Sequence, residues 1–177
     1  HAEWKSWKPV AALGVISTFE GDNELMGAEF LVLAPRRQLA YYAIRTEDAL
    51  KADLSALKAV VYIDAKPPEG ELRKKLLAFA EAGGLLISPR GIVTGTPVER
   101  RVNHQIYTAG KGKIAVPLEA WFDPYLLVRE VHLLMSHRED VVRVWNGADV
   151  GSYMVAGPQP NRAVIHLTQY ASARTQP

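Results

Sequence analysis

The chain has no cysteine. That excludes disulfides, thiolate nucleophiles and cysteine-ligated zinc, while leaving the redox compartment open. No run of about 18 consecutive apolar residues occurs, so no membrane-spanning helix and no membrane partner are expected. No signal-peptide pattern opens the chain. Charge of one sign is also scarce: the formal net charge is only +2, too little to argue for nucleic acid. The pairs Arg36-Arg37, Lys74-Lys75 and Arg100-Arg101 therefore read as solvated surface. No phosphate-cradling pattern is present, since Gly91, Thr94, Gly95 and Thr96 match neither G-x-x-x-x-G-K-[ST] nor G-x-G-x-x-G. The five histidines, His1, His104, His132, His137 and His166, show no metal-ligand spacing. On a continuous helix His132 and His137 diverge by about 140° and do not share a face. No metal and no cofactor are expected.

What is present is enough for a core. The 177 residues are 48% hydrophobic and 23% charged, the balance of a globular domain with room for a small appendage. A domain of this size buries roughly 70% of its unfolded surface and needs no metal or disulfide. The chain starts at His1 and ends on Ala173-Arg174-Thr175-Gln176-Pro177, so it reads as a piece of a longer protein. If an upstream segment was removed, a secreted or periplasmic location is expected.

Strands and helices alternate along most of the chain. Val10 to Ser17 is a short apolar run that reads as a buried strand. A turn at Glu20-Gly21-Asp22-Asn23 follows, with Asp22 or Asn23 placed to cap a helix over Glu24 to Leu33. Leu39 to Ile44 reads as a strand, and Leu50, Leu54 and Leu57 at helical spacing suggest a helix over Glu47 to Leu57. Ala59 to Gly91 is the clearest unit: the strand AVVYI, a Pro67-Pro68-Glu69-Gly70 loop, a helix over Glu71 to Ala82 stopped by Gly83-Gly84, and the strand Leu85 to Ser88. Residues 91–104 read as irregular. Gln105 to Ala109 and Lys113 to Val116 read as paired strands about a Gly110-Lys111-Gly112 turn. Asp123-Pro124 opens a helix running to about His137. Beyond it, Val141 to Trp145, Ser152 to Val155 and Ala163 to Gln169 read as three short strands, separated by Asn146-Gly147 and by residues 157–161. The alternation argues for an α/β domain with a mostly parallel sheet over residues 1–138. Residues 139–177 are expected to form a small C-terminal antiparallel β appendage.

These pieces together resemble a known family. The strand VAALGVIS, then FEGDNELMGAEF, LSALKAVVYI, FAEAGGLLISPRG, GKGKIAVP, a helix and the closing RAVIHLTQY are similar to the amidotransferase-like middle, or trimerisation, domain of bacterial β-galactosidases. The resemblance covers most of the chain. It implies a flavodoxin-like three-layer sandwich that works through subunit contacts or borders an active site on a separate barrel. Class I glutamine amidotransferases carry a Cys-His-Glu triad with the cysteine just after the second strand of this unit. Here Ser88-Pro89-Arg90-Gly91 stands there, and His137-Arg138-Glu139, which has the spacing of the last triad pair, falls at a helix end. The expectation is a scaffold without that chemistry.

Four residues stand where a sheet of this kind takes a ligand: Asp64, Ser88, Arg90 and His104. Ser88 is the weak candidate for catalysis, as a serine nucleophile paired with a histidine. It lacks the G-x-S-x-G elbow, and Pro89 has no N–H to donate to an oxyanion. Asp64 follows AVVYI directly at a strand's carboxyl end. The carboxylates Glu20, Asp22, Glu24 and Glu29 read as helix capping rather than glycosidase acid/base work. Trp4, Trp7, Trp121 and Trp145 read as packing between the domain and the appendage, with sugar stacking as the alternative. The expected role is a non-catalytic accessory domain of a carbohydrate-active protein, with self-association or a neighbouring domain as partner. The alternatives are a serine hydrolase using Ser88 and a small-ligand binding module.

Overall fold

The computed structural model describes residues 3–145, 150–159 and 161–169. The strands are β1 Lys8–Pro9, β2 Leu13–Ser17, β3 Tyr41–Arg45, β4 Ala59–Tyr62, β5 Leu85–Ile87, β6 Glu99–Arg100, β7 His104–Ala109, β8 Gly112–Pro117, β9 Val150–Ala156 and β10 Ala163–Gln169. Among the described residues three α-helices accompany them: α1 Glu24–Arg36, α2 Gly70–Glu81 and α3 Pro124–Met135. Seven strands form one sheet in the order β3-β2-β4-β5-β8-β7-β6. Its first five members are parallel, and β7 and β6 complete it as antiparallel strands. A second, antiparallel sheet has the order β1-β9-β10. Its β1 strand comes from the start of the chain, with Lys8 opposite Ala156 and Pro9 opposite Val155, and α1 packs on β9.

The central strands are buried on both faces, which is why they read as unbroken apolar runs. Successive residues point to opposite sides. Leu13, Val15, Val61, Ile63, Ile87 and Ala115 join Phe30 of α1 and Val128 and Val131 of α3 in one core. Val60, Tyr62, Leu86, Ile114 and Val116 join Leu72, Leu76 and Ala80 of α2 in the other. The Gly110-Lys111-Gly112 turn seats the β7–β8 hairpin against the end of α2. A Cβ on Gly112 would lie 2.2 Å from the Ala80 carbonyl and 2.3 Å from that of Gly84, so only glycine fits there.

Three expectations about elements are corrected. Residues 47–57 form turns, not a helix. The Asp53 carboxylate accepts the Ser55 N–H at 2.9 Å, a local bond that competes with helical hydrogen bonding. Leu54 and Leu57 are buried while Leu50 is exposed, so the leucine spacing reflects packing rather than a helical face. Residues 141–145 form no strand. That segment is held by Gln38, whose side chain donates to the Val144 carbonyl and accepts the Val144 N–H, each at 2.8 Å. The N-terminus of α1 has no side-chain cap, because Asn23 is engaged elsewhere. Pro35 lies inside the last turn of α1 and Gln38 ends the turn at φ 60°. The expected Asn146-Gly147 turn, Pro160, Tyr170, His1 and the chain end from 170 onward lie outside the described residues.

Candidate functional site

The parallel strands end on one edge of the sheet, at Ser17, Tyr62, Ile87 and Pro117. Between β2 and β4 the chain changes direction across the sheet: β2 leads outward to β3, whereas β4 leads the other way to β5. Such a point is where open α/β sheets take ligands. In this chain it is closed by hydrogen bonds. The Asp64 carboxylate, 3% exposed, accepts from Ser17 Oγ at 2.5 Å, from the Thr18 N–H at 3.1 and 3.2 Å on its two oxygens, and from Tyr62 Oη at 3.2 Å. Asn23 completes the lacing. Its Nδ2 donates to Thr18 Oγ1 at 3.1 Å, and its Oδ1 accepts the Ala65 N–H at 3.0 Å. Burial, and then the adjacent Asp64 charge, push the Tyr62 phenol up to about 12. Asp64 thus ties β2 to β4, and its lone pairs face the chain's own donors.

Ser88 follows β5. Its N–H donates to the Ala115 carbonyl at 3.1 Å, and its fully buried hydroxyl has no hydrogen-bond partner among the described residues. Among the described residues, therefore, no imidazole stands within hydrogen-bonding reach of it. The alternation of β5 explains the separation: Leu86 points to the α2 core and Ile87 to the α1–α3 core, so Ser88 falls on the α2 side. His104 lies on the opposite side, against α3. Arg90 is exposed and reaches back, with Nε donating to the Pro117 carbonyl at 3.3 Å. Asp64 and His104 sit three strands apart, roughly 14 Å at ordinary strand spacing, so the four candidates do not converge on one point.

His104 opens β7 opposite Pro117 and lines a cleft of about 340 Å³ with Trp121, Phe122, Asp123, Leu126 and Glu130. Its Nδ1 is 3.7 Å from Glu130 Oε2. Both His104 Nε2 and Trp121 Nε1 are buried without a partner among the described residues. Burial lowers the His104 pKa; the Glu130 charge opposes this and Arg101 adds to it. Asp123, in the cleft's lining, also caps α3: its carboxylate accepts the Tyr125 N–H at 2.8 Å and the Leu126 N–H at 3.4 Å.

A second grouping was not foreseen from the sequence. α3 stops at Met135, Ser136 takes φ 74°, and a 3-10 turn covers His137–Glu139. The reversal corrects the expectation that His132 and His137 diverge: their rings meet edge to face at 4.3 Å. Both reach Asp140, with His132 Nε2 at 2.7 Å from Oδ1 and His137 Nδ1 at 3.0 Å from Oδ2. Arg143 donates to the same Oδ2 through Nη2 at 2.9 Å and Nε at 3.2 Å. Burial alone would raise the Asp140 pKa, but the bonds from His132, His137 and Arg143 outweigh it and hold the carboxyl below its ordinary value. The only sequence signal was the serine that follows α3.

No family model and no curated protein matches the sequence. Solved structures do share the fold. A GH42 β-galactosidase from G. stearothermophilus superposes with TM-score 0.61 at 12% identity, over 85% of this chain and 34% of that one. A β-galactosidase from Bacillus circulans sp. alkalophilus gives 0.60 at 8% identity, over 86% and 35%. The α-L-fucosidase isoenzyme 2 from Paenibacillus thiaminolyticus gives 0.61 at 10% identity, over 97% and 40%. The chain thus has a fold that occupies about a third of the length of these β-galactosidases. At such identities the likeness is one of fold.

Proposed function

We propose that the chain is a non-catalytic accessory domain of a carbohydrate-active protein, amidotransferase-like in descent and flavodoxin-like in layering, acting through contacts with other copies or with a neighbouring domain. One observation carries this reading: the switch point of the sheet is occupied by the Asp64–Ser17–Thr18 hydrogen bonds rather than open to a ligand. The strand order β3-β2-β4-β5-β8, which has the flavodoxin-like pattern, supports the layering, and the fold shared with glycoside hydrolases supports the setting. The division near residue 138 belongs to the same proposal, with β9 and β10 in the C-terminal appendage and β1 joining them from the start of the chain. Exposed Leu25 and Val32 on α1, and Tyr125 and Leu133 on α3, supply apolar surface for a contact. The test is light scattering of the 177-residue chain across a concentration series. A mass rising with concentration supports self-association; a mass fixed at 19.6 kDa contradicts it.

A second reading, a small-ligand binding module, is favoured by the cleft at His104. His104 Nε2 and Trp121 Nε1 are buried without partners among the described residues, and both residues line the cleft beside Phe122, a combination suited to the edge and face of a sugar ring. A thermal-shift screen against neutral sugars tests it. A shift lost in Trp121→Ala supports the reading, and no shift with any sugar counts against it.

A further inference from the structure

We propose that His132, His137 and Asp140 form a binding site for a divalent first-row transition ion such as Zn²⁺. The three offer one ligand atom each, all within 4.8 Å of one another. Two imidazole nitrogens and a carboxylate oxygen form a donor set that suits zinc, nickel or cobalt, not calcium or magnesium.

The burial pattern fits a site with a wall and a mouth. The side chains of His132 and Asp140 are 8% and 5% exposed, while that of His137 is 61% exposed. An ion enters past His137 and meets two ligands fixed in depth. The present separations of 2.7 and 3.0 Å are those of hydrogen bonds. Ligand atoms about 2.0–2.2 Å from a tetrahedral zinc stand somewhat further apart, so binding replaces the shared protons with the metal after a small opening. His137 supplies that movement, because it sits on a single 3-10 turn rather than on α3.

Arg143 shapes the site from outside. It holds Asp140 Oδ2 and also donates through Nη2 to the His137 carbonyl at 2.5 Å, so it orients both the carboxylate and the turn that carries the exposed ligand. Its positive charge opposes the ion and its bonds occupy Oδ2, which directs the metal to Oδ1. Three protein ligands leave a fourth position to water. The ion would clasp the C-terminus of α3 to Asp140 and so fix the start of the segment that Gln38 anchors at Val144.

The experiment is calorimetric titration of the full 177-residue chain with zinc chloride, followed by Co²⁺ substitution read by visible absorption. The expected result is one saturable Zn²⁺ per chain and a tetrahedral Co²⁺ band. His137→Ala, a change at an exposed position that leaves the fold intact, weakens Zn²⁺ at least tenfold. His137→Cys restores a ligand and keeps the affinity within tenfold of the native chain, with a new thiolate-to-Co²⁺ band in the near ultraviolet. His166→Ala, on β10, changes nothing. The absence of saturable Zn²⁺ binding at millimolar concentration overturns the proposal. So does binding that His137→Ala leaves as tight as before, since the ion then sits elsewhere.

Discussion

Ser17 Oγ donates to Asp64 Oδ1 at 2.5 Å across the ends of two adjacent parallel strands. The bond joins residues 47 positions apart at the place where the sheet would otherwise open. Replacing Asp64 by alanine leaves the Ser17 hydroxyl, the Thr18 N–H and the Tyr62 hydroxyl without their acceptor. The expected loss is about 3 kcal/mol, a fall in melting temperature of roughly 6–12 °C by circular dichroism. A change of less than a degree would mean that the network does not hold β2 to β4.

Ser88→Ala has the opposite sign. The Ser88 hydroxyl is buried with no partner among the described residues, and an unsatisfied buried hydroxyl is a cost to the fold. Its removal is expected to raise stability by about 1 kcal/mol, measured by urea denaturation. A loss of stability would reveal a partner for Ser88 Oγ.

His104 makes stability depend on pH. Burial lowers its pKa in the folded chain, so below the ordinary value of about 6.5 the unfolded chain takes up a proton that the folded chain resists. The contribution is complete above that value and is lost as pH falls through the lower folded pKa. In His104→Gln the slope of stability against pH flattens below about 6.5, measured by urea denaturation at a series of pH values. An unchanged slope would mean that His104 is not the group responsible.

Gly112→Ala tests the seat of the β7–β8 hairpin. Its Cβ would meet two backbone carbonyls at 2.2 and 2.3 Å, and backbone does not yield as a side chain does. The expected cost lies at the upper end of the roughly 1–3 kcal/mol of overpacking. Gly21→Ala is the comparison. It has φ +57° but nothing within 4 Å, and should cost only about 1 kcal/mol of backbone strain. Equal losses in the two variants would contradict the close packing at Gly112.

The parts legible in the sequence were those where one local signal and the core agree. The first four residues of AVVYI form β4 because a strand buried on both faces is a continuous apolar run. Gly83-Gly84 ended α2, and Asp123 capped α3 through bonds to Tyr125 and Leu126. Where signals conflicted, the reading failed. The leucines of 47–57 have helical spacing, yet the Asp53–Ser55 bond and burial of only Leu54 and Leu57 favour turns. The candidate site was harder still. Asp64 follows an apolar run that is legible as a strand, but its partners Ser17 and Thr18 stand 47 and 46 residues away in the chain. The meeting of His132 and His137 depends on one dihedral angle at Ser136, which a helical wheel cannot anticipate.

The most direct measurement is hydrolysis of nitrophenyl esters and nitrophenyl glycosides by the native chain beside Ser88→Ala and His104→Gln. One rate is expected for all three, equal to the rate without protein. A turnover present in the native chain and abolished by either substitution would contradict that expectation and make the sheet edge a catalytic centre.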